Sequence, residues 1–151
     1  MKIFTFFGSS SSGKTTVIEN LISILSGRYK IVYIKDIPHD NISLDTSGKD
    51  TWIMENAGAH ATYGLMPGRT YRMVRERMEL DRIINENRDY DIIFIEGFRD
   101  YGNGTRFLVL GNEDYLKYGY NYIIKANNGT YKGECIAYPE EIARLLDIIA
   151  Q

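Results

Sequence analysis

Short apolar runs alternate with helix-spaced stripes along this chain, in the order expected of a parallel α/β sheet. KIFTFF at 2–7 predicts a strand. From 14 to 26, Ile18, Leu21, Ile22 and Leu25 recur at i, i+3, i+4 and i+7, and Gly27 stands where a C-cap glycine would end the helix. IVYIK at 31–35 has no polar alternation, which predicts a parallel strand covered on both faces. Residues 36–49 (DIPHDNISLDTSGK) have no period, and loops of that length are usually functional. Asp50 or Thr51 is the expected cap of a helix through Ala57, closed by Gly58. ATYGLM at 61–66 and TYRMVRE at 70–76 flank Pro67-Gly68 and predict a hairpin at the sheet edge. A polar helix over 78–88 turns Leu80, Ile83 and Ile84 inward. IIFI at 92–95 is the most apolar strand, followed by FLVL at 107–110 and YIIKA at 122–126. The last helix is expected to open with Pro139 in its first turn and to bury Ile142, Leu145, Leu146 and Ile149.

The expectation is therefore a single α/β domain over 1–151, a P-loop NTPase-like three-layer sandwich with a mostly parallel sheet and an antiparallel edge hairpin. Composition narrows its surroundings. Eighteen Lys and Arg against twenty Asp and Glu give a net charge of −2, which argues against nucleic acid or an anionic membrane as partner. No apolar stretch approaches the ~20 residues that span a bilayer. The apolar start runs directly into a glycine-serine loop, so its removal as a signal would destroy that loop. One cysteine, Cys135, excludes an intramolecular disulfide and suits the cytoplasm, where the N-x-[ST] triplets at Asn41, Asn103 and Asn128 would carry no sugar.

The strongest chemical signal is GSSSSGKT at 8–15, a complete G-x-x-x-x-G-K-[ST] phosphate loop between the first strand and the first helix. Gly8 and Gly13 let the backbone wrap closely, so that N–H groups along Ser9, Ser10, Ser11 and Ser12 face phosphate oxygens. Lys14 is placed for the β- and γ-phosphates, Thr15 for Mg²⁺, and Thr16 continues the helix N-terminus whose dipole favours an anion. Ligands of parallel sheets bind at the carboxyl ends of strands, which selects Asp36 and Glu96 as further metal candidates. Gly97 after Glu96 permits close approach of a terminal phosphate, and Glu96 joins Lys14 as a candidate for the chemistry. The 36–49 loop adds His39, Asp40, Asp45 and Lys49, of which Asp45 and Lys49 are candidate nucleotide contacts. His39, His60 and Cys135 lack zinc-ligand spacing. The late strand ends Lys125-Ala126-Asn127, with Asn127 where guanine-specific proteins carry an acceptor-only Asp, so the residues alone do not choose the base. Arg69, Arg72, Arg75 and Arg77 fit the charged edge of a strand.

Several blocks carry a family resemblance: IFTFFGSSSSGKTTVIENLI, YIKDIPHDNISLDTSGKDTW, the Ala57-Gly58-Ala59 element and DIIFIEGF at 91–98. Together, with Lys35 closing the second strand, His39-Asp40, the DTSGKD segment and Glu96-Gly97-Phe98, they resemble molybdopterin-guanine dinucleotide biosynthesis protein B (MobB). The resemblance implies a homodimeric GTP-binding protein with weak Mg²⁺-dependent GTPase activity. It would assist a separate guanylyltransferase in attaching a guanosine nucleotide to the molybdenum or tungsten pterin cofactor. A kinase using ATP, with Asp36 or Glu96 activating an acceptor hydroxyl, and an adapter without turnover are the alternatives. The loops at 36–50 and 97–106, the second with Arg99 and Arg106, are the candidate contacts for a partner.

Overall fold

The computed structural model describes residues 1–39, 44–126 and 131–151. In chain order the elements are β1 (Lys2–Phe7), α1 (Lys14–Leu25), β2 (Ile31–Lys35), α2 (Asp50–Asn56), β3 (Ala61–Met66), β4 (Arg69–Val74), α3 (Leu80–Glu86), β5 (Ile92–Glu96), β6 (Thr105–Val109), a 3₁₀ helix (Glu113–Lys117), β7 (Tyr122–Lys125), β8 (Ile136–Ala137) and α4 (Ile142–Ala150). They fall into two compact units: Met1–Asp36 with Asn87–Gln151, and Ile37–Glu86.

The first unit is a six-stranded sheet in the order β2-β5-β1-β6-β7-β8, with every neighbouring pair parallel. Because side chains alternate across a strand, its apolar runs feed two cores. One face carries Phe4, Phe6, Phe94, Phe107 and Val109 against Val17, Ile18 and Leu21 of α1 and Leu145 and Ile149 of α4. The phenyl rings interlock there, Phe6 stacked on Phe107 at 4.8 Å and edge-on to Phe94 at 5.8 Å. On the other face Phe7, Leu108, Leu110 and Ile123 pack under Tyr115 and Leu116 of the 3₁₀ helix. Coverage on both faces explains why β5 is buried at every position and reads as an apolar run from Ile92 to Ile95, with Glu96 closing it.

Several local expectations are corrected. IVYIK is an edge strand and is not covered on both faces: only Ile34 is buried and Tyr33 is 42% exposed, because an apolar run does not report whether a second strand and its covering layers lie beyond it. Helix α1 stops at a right-handed Ser26, and the amides of Arg28 and Tyr29 satisfy the Leu25 carbonyl without a left-handed Gly27. Asp50 is the first helical residue of α2, and extended Lys49 is its cap position. Pro139 lies before α4, in a turn whose Ala137 amide donates to the Glu141 carboxylate. β8 was not expected, since two residues show no period.

The second unit is built on the β3–β4 hairpin, in register from Ala61↔Val74 to Met66↔Arg69 around Pro67-Gly68. It forms a two-stranded sheet of its own and not the edge of the larger one. Thr62 and Gly64 face inward, Gly64 against Thr51 of α2, while Tyr63 and Leu65 on the opposite face are exposed. Its basic residues are engaged locally: Arg72 pairs with Glu86 and lies over the Tyr63 ring, and Arg82 pairs with Glu76 and Glu86.

The interlocked rings define the most sensitive packing site. Phe94→Ala is expected to cost ~3–5 kcal/mol in urea unfolding, and Leu65→Ala, at an 81% exposed position, ~0.5 kcal/mol or less.

Candidate functional site

β1 runs between β5 and β6, so the chain leaving Phe7 enters the crevice at the carboxyl ends of the sheet, where connections depart in both directions. The 8–15 loop fills that crevice under tight steric control. Gly8 has φ +150°, and a Cβ there would stand 2.2 Å from the Val109 carbonyl oxygen. On the β6 side a Cβ on Gly111 would meet Ser9 Oγ at 2.6 Å and Ser12 Cβ at 2.8 Å. Ser11 at φ 58° and Gly13 at φ 98° turn the chain into α1, with Gly13 at the cap position. Ser12 is buried, and Ser10, Ser11, Thr15 and Thr16 are exposed on the loop and first helical turn. Lys14 curls over the loop, its Nζ donating to the Ser9 carbonyl at 2.6 Å, the Gly8 carbonyl at 3.3 Å and Ser12 Oγ at 3.4 Å. Burial pushes the Lys14 pKa down, and Lys35 adds to that effect while Glu96 opposes it. A partly desolvated ammonium above a loop of this shape favours an incoming anion.

Glu96 is the centre of the adjoining cluster. It closes β5 only 4% exposed, in register with Lys35 at the end of β2. Its carboxylate accepts from Thr15 Oγ1 on both oxygens (3.0 and 3.1 Å), from the Tyr33 hydroxyl at 2.7 Å and from Lys35 Nζ at 3.1 Å. Burial alone would raise its pKa, but the donors Tyr33, Lys35 and Thr15, with the Lys35 charge, outweigh it and hold the carboxyl below its ordinary value. The Tyr33 hydroxyl is pushed up in turn, by burial and by this anionic neighbour. Next in the chain, Gly97 has φ +96° and Phe98 φ +46°, a reversal that turns the backbone away directly after the carboxylate. A Cβ on Gly97 would stand 2.7 Å from Asp36 Cβ, so Asp36 and Gly97 are neighbours on this rim, joined also by the Asp36 amide on the Glu96 carbonyl.

The structure thus gathers Gly8 to Thr16, Asp36, Glu96 and Gly97 at one end of the first unit. Asp45 and Lys49 belong to the second, where the Thr46 amide donates to Asp45 and Lys49 precedes α2. Asp40 and Asn127 lie outside the described residues. Arg106 is part of β6 and lies over the Phe7 ring at 4.9 Å, with its amide on Asn121, and Arg99 lies over Tyr118 at 5.0 Å. Both arginines are held within the first unit, a structural use that the spacing of their loop did not show. Tyr33 and Gly111 were missed as site residues. Period-2 spacing from Lys35 marks Tyr33 on the same face, and a glycine directly after the FLVL strand was the available sign for Gly111.

One hydroxyl and one buried carboxylate side by side suit Mg²⁺, which keeps several waters and takes few protein ligands beside substrate phosphates. Beside them, Thr15, Ile18, Glu19 and Ile22 of α1 and Tyr33 of β2 line an apolar recess of about 270 Å³.

Fold and loop together define an α/β protein of the P-loop type. The family Molybdopterin guanine dinucleotide synthesis protein B matches residues 3–105, and the chain belongs to this MobB family. It is 34% identical over 102 residues to a provisionally named molybdopterin-guanine dinucleotide biosynthesis adapter protein of Methanocaldococcus jannaschii, covering 66% of this chain and 42% of that protein. It is 44% identical over 52 residues to the corresponding adapter of Haemophilus influenzae, covering 34% of this chain and 29% of the relative. The matched stretches thus span less than half the length of these relatives. The fold is that of Bacillus subtilis MobB (TM-score 0.79, 23% identity, 99% of this chain and 97% of that one). It is likewise that of a MobB homologue from Bacillus stearothermophilus (TM-score 0.73, 15% identity, 99% of both chains).

The depressed Glu96 carboxyl makes stability depend on acidity. A carboxyl whose folded pKa lies below its unfolded value contributes stability that is present above the unfolded value and lost as pH falls through the folded one. Urea unfolding from about pH 6 down to about pH 3 is therefore expected to show a steeper loss for the wild type than for Glu96→Gln.

Proposed function

We propose that the chain binds GTP with Mg²⁺ at the 8–15 loop, hydrolyses it slowly, and acts as accessory to the guanylyltransferase that completes a molybdenum or tungsten pterin cofactor. The observation that carries the nucleotide part is the Thr15 hydroxyl held on the buried Glu96 carboxylate at the mouth of the phosphate loop. Backbone N–H groups from Ser9 to Thr15 and the Lys14 ammonium supply the positive surroundings that phosphates need. Thr15 and Glu96, with Asp36 on the same rim, would hold the metal directly or through water, and the metal would neutralise charge on the terminal phosphates.

Slow turnover follows from the state of Glu96. A carboxylate already engaged by three donors and held below its ordinary pKa is a poor proton acceptor for an attacking water. The choice of guanine and the place in cofactor assembly rest on MobB family membership and on the adapter names of the two relatives. Asp45 and Lys49 are proposed as further nucleotide contacts, made when a γ-phosphate is bound. Recognition of the guanylyltransferase, and through it the pterin, completes the accessory role, with the protein working as a cytoplasmic homodimer.

Calorimetric titration of the purified protein with GTP and with ATP in Mg²⁺ tests this reading. GTP is expected to bind more tightly than ATP. Lys14→Ala is expected to abolish triphosphate binding, with urea unfolding showing that the variant remains folded although it loses the Lys14 hydrogen bonds to the loop. A preference for ATP, accompanied by phosphate appearing on a small acceptor, would overturn the GTP accessory role in favour of a kinase.

A further inference from the structure

Lys35 supplies Glu96 with a counter-charge, while the hydroxyl hydrogen bonds to the carboxylate do not depend on it. The carboxylate already accepts from the Thr15 hydroxyl on both oxygens and from the Tyr33 hydroxyl on one of them before the lysine is counted. Lys35 comes from the outermost strand with its side chain 43% exposed, against 6% for Glu96, so a long flexible stem reaches inward from the rim. Among the described residues its ammonium has one hydrogen-bond partner, Glu96 Oε1. Its charge is also felt at Lys14, so two ammonium groups share the mouth of the loop with the Thr15–Glu96 pair.

A metal at Thr15–Glu96 would change these pairings. A dication on the carboxylate and an ammonium beside the same carboxylate repel one another. The ammonium must then turn to another anion within reach of its stem, and the anion that arrives with the metal is the terminal phosphate. We propose that Lys35 is a second phosphate-binding lysine, which rests on Glu96 and passes to the γ-phosphate of the Mg²⁺-bound nucleotide, so that it selects nucleoside triphosphate over diphosphate. This rests on the Mg-nucleotide reading of the site and adds to it the residue that senses the terminal phosphate. Lys35 and Lys14 then hold that phosphate from two sides, one from the edge strand and one from the loop.

The test is calorimetric titration of the wild type, Lys35→Ala, Lys35→Gln and Tyr33→Phe with GDP and with a non-hydrolysable GTP analogue in Mg²⁺. Urea unfolding of each variant accompanies it, and Lys35→Gln, which keeps a polar stem, replaces Lys35→Ala if the latter fails to fold. Loss of Lys35 is expected to weaken the triphosphate about tenfold or more, the scale of one charged hydrogen bond, and GDP by less than about twofold. Tyr33→Phe removes a different donor from the same carboxylate and is expected to leave the ratio of the two affinities unchanged. Equal losses for both nucleotides on removing Lys35, or a triphosphate-selective loss in Tyr33→Phe as well, would overturn the assignment and leave Lys35 as a partner of Glu96. A folded wild type that binds neither nucleotide would overturn the nucleotide reading itself. Binding of both, with an unchanged ratio in the Lys35 variants, would remove only the role of Lys35.

Discussion

One buried carboxylate ties the loop mouth together. Glu96 draws the first turn of α1, through Thr15, and the edge strand β2, through Tyr33 and Lys35, onto the end of β5. An anion at 4% exposure is tolerated only when its oxygens are hydrogen-bonded and its charge is opposed. Both conditions are met by side chains from elements distant in sequence, the neighbouring strand β2 and the helix α1. The parallel pairing of β2 with β5 places Lys35 beside Glu96, and the α1 crossover brings Thr15 over them. The arrangement is thus a product of topology: a parallel sheet collects the ends of its strands, with their polar residues, on one rim.

Close backbone contacts are the second constraint. The loop packs against the end of β6 with no room for a Cβ at Gly8, nor at Gly111 just beyond that strand. At the other end of the cluster, Gly97 and Phe98 reverse the chain with positive φ, and a non-glycine residue in that conformation costs ~1–2 kcal/mol. Such strain persists where surrounding contacts fix it, and here it lies directly after the carboxylate that would hold the metal. Apolar packing below, with Phe6, Phe94 and Phe107 interlocked, supplies the rigid base on which this polar rim is held.

The fold was legible wherever sequence pattern and burial share a cause. β1, α1, β5 and the α4 stripe are covered by apolar layers, and their sequences say so. The backbone shape of the 8–15 loop was legible because it demands glycines at fixed spacing, and the rim position of Glu96 because it ends the most buried strand. Features that depend on neighbours distant in sequence were not. The edge position of β2 follows from the strand order, which no local pattern encodes, and the two-residue β8 pairs only because β7 is already in place. The hairpin was visible from Pro67-Gly68, but its existence as a separate sheet was not, since a half-exposed strand has the same alternation in either setting. Tyr33 looked like one more apolar position in IVYIK until the register placed its hydroxyl on Glu96.

The central claim is that Thr15 and Glu96 form the metal position of a nucleotide site. Anomalous diffraction from crystals grown with Mn²⁺ and a non-hydrolysable GTP analogue tests it most directly. The account predicts phosphates in the 8–15 loop and a metal peak about 2.1–2.3 Å from Thr15 Oγ1, next to the Glu96 carboxylate directly or through one water. Phosphates in the loop with the metal elsewhere, and the Thr15–Glu96 hydrogen bond intact, would contradict it.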